Sequence, residues 1–172
     1  MTQVFNGGNS SRFSEQETLS TRWRFLTVGS LGFWVSASLL LDLVVMPSMW
    51  ATGMMETSGF ASAGYSIFWM FNRVELLCAG AAMSGIFALA TIYPASPFAG
   101  RKMQVGAAML LAIALSYTFI LTPYMSGLGL ELDILATTKS IPTDMNQMHS
   151  IYWVLEASKL GIIAMLLSWC DR

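Results

Sequence analysis

The chain has 172 residues, of which 55% are apolar and only 11% are charged, and its mean hydropathy is +0.57. This composition excludes an ordinary water-soluble domain, because such domains carry about 25% charged residues. A net charge of −1 provides no basic surplus for nucleic-acid binding. Lipid is therefore the expected surroundings of most of the chain.

The first part of the chain differs in composition from the rest. Residues 1–22 are polar and rich in serine, asparagine and glycine, and they lack the apolar core of a signal peptide. We predict a flexible cytoplasmic tail over residues 1–22 and a membrane domain over residues 23–172.

Four apolar stretches follow the tail, at about residues 25–50, 66–92, 103–124 and 147–169. A helix needs about 20 apolar residues to cross the hydrocarbon of a bilayer. Because lipid offers no hydrogen bonds to the backbone, each stretch must be helical. The sequence predicts an all-α integral membrane protein with a four-transmembrane-helix bundle. Pro47 and Pro123 lie near helix ends in this prediction, where a kink costs little.

Basic residues predict the orientation of the bundle, because lysine and arginine near membrane ends are retained in the cytoplasm. Lys139 stands alone on one side of the predicted membrane. The other side carries Arg12, Arg22, Arg24, Arg101, Lys102 and Arg172. We therefore predict a multi-pass protein with both termini in the cytoplasm.

Five charged residues lie inside the predicted hydrocarbon: Asp42, Arg73, Glu75, Glu156 and Lys159. Each would cost about 2.5–3.5 kcal/mol if it faced lipid, so they should face the bundle interior and neutralise one another. Their depths, at about 1.5 Å per residue, predict an ion pair between Asp42 and Arg73 and a second cluster of Glu75, Glu156 and Lys159. Side chains of Asn72, Tyr152 and Ser158 are candidates for the remaining hydrogen bonds.

The role of this buried polar network is open at the level of sequence. Buried ionic groups can fix a unique helix packing without binding any ligand. Two carboxylates that share one lysine can also form a proton or ion path. Both interpretations use the same residues.

Methionine provides a second pattern, because 13 of the 172 residues are methionine and many lie towards the predicted outer face. Thioether and imidazole groups are suitable ligands for Cu(I). Met46, Met49, Met70 and the single histidine, His149, are the candidate ligands of an outer copper or cofactor site. Methionine also fills gaps in apolar bundles, and the chain lacks the CxxC or multiple-histidine patterns of established metal sites.

The chain resembles the transmembrane protein 205-like family, also described as domain of unknown function 4149. The resemblance is carried by Asp42 with VVMPSMW, by GYSIFWMFNRVELLCAG and by MHSIYWVLEASK, and it covers roughly residues 25–170. It implies a four-helix membrane fold but no reaction. It also implies a family core of Pro47, Asn72, Arg73, Glu75, His149 and Glu156. A looser likeness to copper-resistance membrane domains slightly favours the metal hypothesis.

No nucleophile motif or phosphate-binding loop is present, so we predict that the protein is not an enzyme. The expected role is an accessory or assembly subunit of a larger membrane complex. One alternative is a small transporter or ion- or proton-handling protein that uses the intramembrane carboxylates as a homo-oligomer. The other is an outer copper or cofactor site.

Overall fold

The computed structural model describes residues 7–54, 59–134 and 143–170. Within these ranges the chain is helical and contains no strand. The six α-helices are α1 (Gly7–Leu40), α2 (Met46–Ala51), α3 (Phe60–Ile92), α4 (Arg101–Ser116), α5 (Thr122–Ile134) and α6 (Thr143–Cys170). Two π-helical turns, Leu41–Val45 and Tyr117–Leu121, join α1 to α2 and α4 to α5 without a break.

Four continuous helical stretches are long and apolar enough to cross a membrane, as the sequence predicts. We refer to them as span 1 (Glu15–Ala51), span 2 (Ser62–Ile92), span 3 (Arg101–Leu128) and span 4 (Gln147–Cys170). Each exceeds the length of about 20 residues that the hydrocarbon requires.

The N-terminal segment differs from its prediction. Helix α1 begins at Gly7, so residues 7–22 of the predicted tail are helical, while residues 1–6 lie outside the described residues and the cytoplasmic location stays a prediction. Glutamate, glutamine, leucine and arginine within this segment are good helix formers. Adding residues to an existing helix is also far easier than starting a new one. The hydroxyl groups of Ser20 and Thr21 donate to the carbonyl oxygen of Glu17 inside the helix.

The spans form a ring in which each packs mainly against two others. Span 1 contacts spans 2 and 4, and span 3 contacts the same two. Spans 2 and 4 therefore lie across the ring from each other, as do spans 1 and 3. Consecutive spans run in opposite directions, so that one end of the bundle holds Trp50 and the other holds Cys170. These ends are called below the Trp50 end and the Cys170 end.

Each π-helical turn is followed by a proline two positions after its last residue. Pro47 follows the turn Leu41–Val45 with one residue between them, and Pro123 follows Tyr117–Leu121 at the same spacing. Proline has no backbone N–H, and its ring clashes with the carbonyl group four residues earlier. A wider turn accommodates both effects without ending the helix. Pro47 lies near the end of its helix, as predicted, because α2 ends at Ala51, whereas the helix that contains Pro123 continues to Ile134.

The half of the bundle towards the Cys170 end is packed almost entirely with apolar side chains. Its buried residues include Leu31, Ala82, Ile86, Leu89, Met103, Ala107, Leu110, Ile163, Leu166 and Cys170. Spans 1 and 2 approach closely here, because a Cβ atom at Gly85 would lie 2.0 Å from Thr27 Oγ1. At the same end, Arg24 Nη2 donates a hydrogen bond of 2.7 Å to the carbonyl oxygen of Cys170, which satisfies a terminal carbonyl of span 4.

Candidate functional site

Three buried charged side chains meet near the middle of the bundle. Lys159 Nζ of span 4 forms ion pairs with Glu75 Oε1 of span 2 and, at 2.7 Å, with Glu156 Oε2 of its own span. The three side chains are no more than 2% exposed. Glu156 and Lys159 share one face of their helix because they are three positions apart in the sequence. The predicted cluster of Glu75, Glu156 and Lys159 is confirmed.

Two tyrosines connect this cluster to the Trp50 end of the bundle. The hydroxyl of Tyr117, in the π turn of span 3, donates to Glu156 Oε2 at 3.1 Å and also lies 3.4 Å from the carbonyl oxygen of Tyr152. The hydroxyl of Tyr152 donates to Asp42 Oδ1 at 2.9 Å. Asp42 is 7% exposed and lies in the π turn of span 1. Tyr152 thus bonds the third acid, Asp42, and its ring packs against that of Tyr117, which bonds Glu156.

A tryptophan closes the opposite side of the cluster. Trp34 Nε1 of span 1 donates to Glu75 Oε1 at 2.8 Å. The ammonium group of Lys159 lies 5.9 Å from the centre of the Trp34 ring and 5.4 Å from that of Tyr117, within the range of cation–π attraction. We call Trp34, Asp42, Glu75, Tyr117, Tyr152, Glu156 and Lys159 the polar network. Every span contributes to it.

The predicted ion pair between Asp42 and Arg73 is wrong. Asp42 is paired with Tyr152, whereas Arg73 is exposed and its guanidinium lies 3.7 Å from the centre of the Trp69 ring. Arg73 and Glu75 are two positions apart in the sequence, which corresponds to about 200° around the helix. When Glu75 faces the interior, Arg73 must face outwards.

Asn72 lies apart from the polar network. It is 3% exposed and donates from Nδ2 to Thr122 Oγ1 at 2.7 Å, which links spans 2 and 3 near the start of α5. Ser158 is exposed and bonds only to the carbonyl oxygen of Val154 on its own helix. Of these two predicted hydrogen-bonding residues, only Asn72 connects spans.

Trp34 and Tyr117 were not predicted from the sequence as members of the network. Neither side chain is charged, so membrane energetics alone does not point to it. A usable signal was present for Trp34, because it precedes Asp42 by two helical turns and therefore shares its face. For Tyr117 the signal was Pro123, which places a π turn around the tyrosine.

The candidate Cu(I) ligands differ in their surroundings. Met49 is 8% exposed and Met46 is half-buried, whereas Met70 is 66% exposed and His149 lies on the exposed surface. The structure therefore does not present them as one enclosed set of ligands. The described part of the chain also contains no group of three or more histidine, cysteine, aspartate or glutamate residues suited to a metal. Copper binding stays a prediction.

The polar network has a defined chemical capacity. Its members are three carboxyl groups, one amine, two phenols and one indole, which together can share and pass on protons. Hydrogen bonds and ion pairs connect Tyr117, Glu156, Lys159, Glu75 and Trp34, whereas Asp42 and Tyr152 form a separate hydrogen-bonded pair. The two groups meet through packing of the tyrosine rings and through the 3.4 Å contact between the Tyr117 hydroxyl and the backbone carbonyl of Tyr152, and the packing beyond Trp34 towards the Cys170 end is apolar.

No protein-family model, curated protein or solved structure matches this chain. The resemblance to the transmembrane protein 205-like family accordingly stays a prediction, and function has to be inferred from the geometry of the bundle.

Proposed function

We propose that this chain is a multi-pass integral membrane protein with both termini in the cytoplasm, and that it acts as a non-enzymatic accessory or assembly subunit of a larger membrane complex. The orientation is supported by Arg22 and Arg24 at the start of span 1 and by Arg101 and Lys102 at the start of span 3, which lie towards the Cys170 end. Lysine and arginine concentrate on the cytoplasmic side of membrane proteins. A tag at each terminus that is protected from external protease in intact cells would support it, and cleavage of either tag would refute it.

The polar network supports a structural task within the subunit. Its hydrogen bonds join span 1 to span 2, span 3 to span 4 and span 4 to span 1, and the ion pair between Glu75 and Lys159 crosses the ring. Because hydrogen bonds and ion pairs depend on direction, such a network fixes the rotation of each helix. Apolar packing alone would allow several rotations of similar energy.

Arg73 is the observation that carries the proposal of a partner. It lies on the exposed side of span 2, between Trp69 and Leu77, which are 44% and 74% exposed. Within the described residues it forms no ion pair, and its guanidinium contacts only the Trp69 ring. An arginine that faces lipid inside a membrane costs about 2.5–3.5 kcal/mol. A lateral partner would remove that cost.

The charge of Arg73 indicates the chemistry of the partner, which we propose to be a membrane helix with an aspartate or glutamate at the same depth. A second copy of this chain fits less well. Among the residues that the structure describes, the acids at comparable depth are Asp42, Glu75 and Glu156, and all three are buried in the polar network. They are not available to an arginine of a neighbouring copy.

The test is purification of the native protein in a mild detergent, followed by mass spectrometry of co-purifying chains and lipids. We expect a stoichiometric membrane protein with the wild-type chain and its loss in the Arg73→Met variant. Arg22→Met is the matched control, because Arg22 is also exposed but lies at the Cys170 end. Recovery of this chain alone, as a homo-oligomer, or of an anionic lipid released by Arg73→Met would refute the accessory role.

Proton or ion handling is the second candidate function, and the buried acids of the polar network favour it. Hydrogen bonds and ion pairs connect Tyr117, Glu156, Lys159 and Glu75 inside an apolar bundle, and Asp42 bonds Tyr152 beside them. Intramembrane acids serve as proton relays in pumps and transporters. Flux of protons into liposomes containing the purified protein, lost in a folded Glu156→Gln variant, would favour this function. Equal flux in both proteins would remove it.

A further inference from the structure

The polar network holds more acids than bases. Asp42, Glu75 and Glu156 are its carboxyl groups, and Lys159 is its single cation. Arg73, which could have balanced a second acid, lies on the exposed side of span 2. With all three acids ionised, the network would carry two uncompensated negative charges in a low-dielectric interior, which is strongly unfavourable.

Two buried oxygen atoms next to this excess charge have no hydrogen-bond partner. Glu156 Oε2 receives both Lys159 and Tyr117, whereas Glu156 Oε1 receives nothing. Ser38 Oγ of span 1 is also unpartnered, and Ser38 is 1% exposed. An unsatisfied polar atom at such burial costs about 1–3 kcal/mol. Both atoms therefore point to an occupant that the protein atoms do not include.

Helix geometry brings Ser38 and Glu156 to the same level of the bundle. Ser38 lies one turn from Trp34 and one turn from Asp42, so the three share one face of span 1. Trp34 donates a hydrogen bond to Glu75, which is an ion-pair partner of Lys159. Asp42 accepts a hydrogen bond from Tyr152. Glu156 lies between Tyr152 and Lys159 on antiparallel span 4. The middle position of one helix therefore faces the middle position of the other.

We propose that Glu156 Oε1 and Ser38 Oγ form a proton-binding site, in which Glu156 carries the proton and donates it to Ser38 Oγ through one water molecule. The proton comes from a hydronium ion, which is left as water, and an O–H bond forms at Oε1. The negative charge of the network falls from two to one. Glu75 then remains the ionised partner of Lys159, and Asp42 keeps the hydroxyl of Tyr152.

A proton fits this site better than a metal cation. Calcium takes about six to eight oxygen ligands, and magnesium about six, whereas the site offers only two unpartnered oxygen atoms. The groups that surround Glu156 are Asp42 of span 1, Glu75 of span 2, Tyr117 of span 3, and Tyr152 and Lys159 of its own span. The network contains no second cation. This inference goes beyond the accessory role, since it holds with or without a partner subunit.

The test is infrared difference spectroscopy of the full-length protein between neutral and alkaline pH, in H2O and in D2O. We expect a carbonyl stretch of a protonated carboxylic acid at neutral pH that shifts in D2O and is lost in Glu156→Gln. Glu17→Gln, which removes an exposed carboxyl group outside the polar network, is the control and should retain the band. Absence of the band in the wild-type protein, or its persistence in Glu156→Gln, would overturn the proposal.

A second variant keeps the test decisive if Glu156→Gln does not fold. Ser38→Ala removes only a hydroxyl, so the bundle should retain its fold, while the water molecule that receives the proton of Glu156 loses its own acceptor. We expect the same carbonyl band shifted to higher frequency, as for a carboxylic acid with a weaker hydrogen bond. A band at the wild-type frequency in Ser38→Ala would show that Ser38 does not face the proton and would overturn the site.

Discussion

Replacing Lys159 by methionine removes the single cation of the polar network while retaining most of the side-chain volume. The ionised partner of Lys159 is Glu75, and at a separation of about 3 Å the attraction of two unit charges is about 5–6 kcal/mol at an effective dielectric constant of about 20. The loss of lysine hydration offsets part of it, and removing one partner of a buried ion pair typically costs about 3–5 kcal/mol. We expect Lys159→Met to lower the free energy of unfolding by that amount.

Steric trapping in detergent micelles or bilayers would measure this free energy of unfolding. Glu75→Gln in the Lys159→Met background removes the uncompensated acid, so we expect it to recover at least about 2 kcal/mol of the loss. Ser158→Ala is the control, since the exposed hydroxyl bonds only within its own helix and should change stability by less than about 0.5 kcal/mol. A loss below about 1 kcal/mol for Lys159→Met, or no recovery in the double variant, would refute the charge argument.

Two further predictions concern the contacts between spans 1 and 2, both measured as free energies of unfolding. Gly85→Val should cost about 2 kcal/mol or more, because a Cβ atom there would lie 2.0 Å from Thr27 Oγ1. Gly80→Ala is its control, with no atom within 4 Å of the added Cβ, and equal losses in the two variants would contradict the close approach. Trp34→Phe should cost about 1.5–3 kcal/mol, because it removes a hydrogen bond to a charged group. The assigned bond would be contradicted if Trp34→Phe left the free energy of unfolding unchanged while Trp34→Phe combined with Glu75→Gln altered it.

The four spans could be predicted from the sequence because the hydrocarbon thickness sets a minimum length that short apolar stretches do not reach. Their ends could not be placed with the same precision. Hydropathy indicates whether a residue lies in lipid or in water. A helix, in contrast, continues as long as its backbone hydrogen bonds can form, whatever the solvent. The polar residues from Gly7 to Arg22 are therefore helical although they are not apolar.

The polar network was partly predictable because depth along a helix follows from residue number alone. Glu75, Glu156 and Lys159 were matched by depth, and the structure brings them together. The same reasoning failed for Asp42 and Arg73, since it ignores rotation about the helix axis. Rotation places Arg73 outside whenever Glu75 is inside.

The uncharged members of the network could not be found by counting charges. Tyr117 and Trp34 have no large cost of burial in lipid, so only their contacts identify them. The π turns change the facing of every residue that follows them, and a regular 3.6-residue pattern misplaces those residues. The prolines at positions 47 and 123 were the available sequence signal for the turns.

The order in which the chain is synthesised gives the polar network a further consequence. Tyr152, Glu156 and Lys159 all belong to span 4, which is the last of the four to leave the ribosome. Until span 4 enters the membrane, Asp42 lacks its phenol and Glu75 has Trp34 as its only bonded partner in the network. The first three spans thus hold two acids that lack their partners from span 4, and only the final helix completes the polar network.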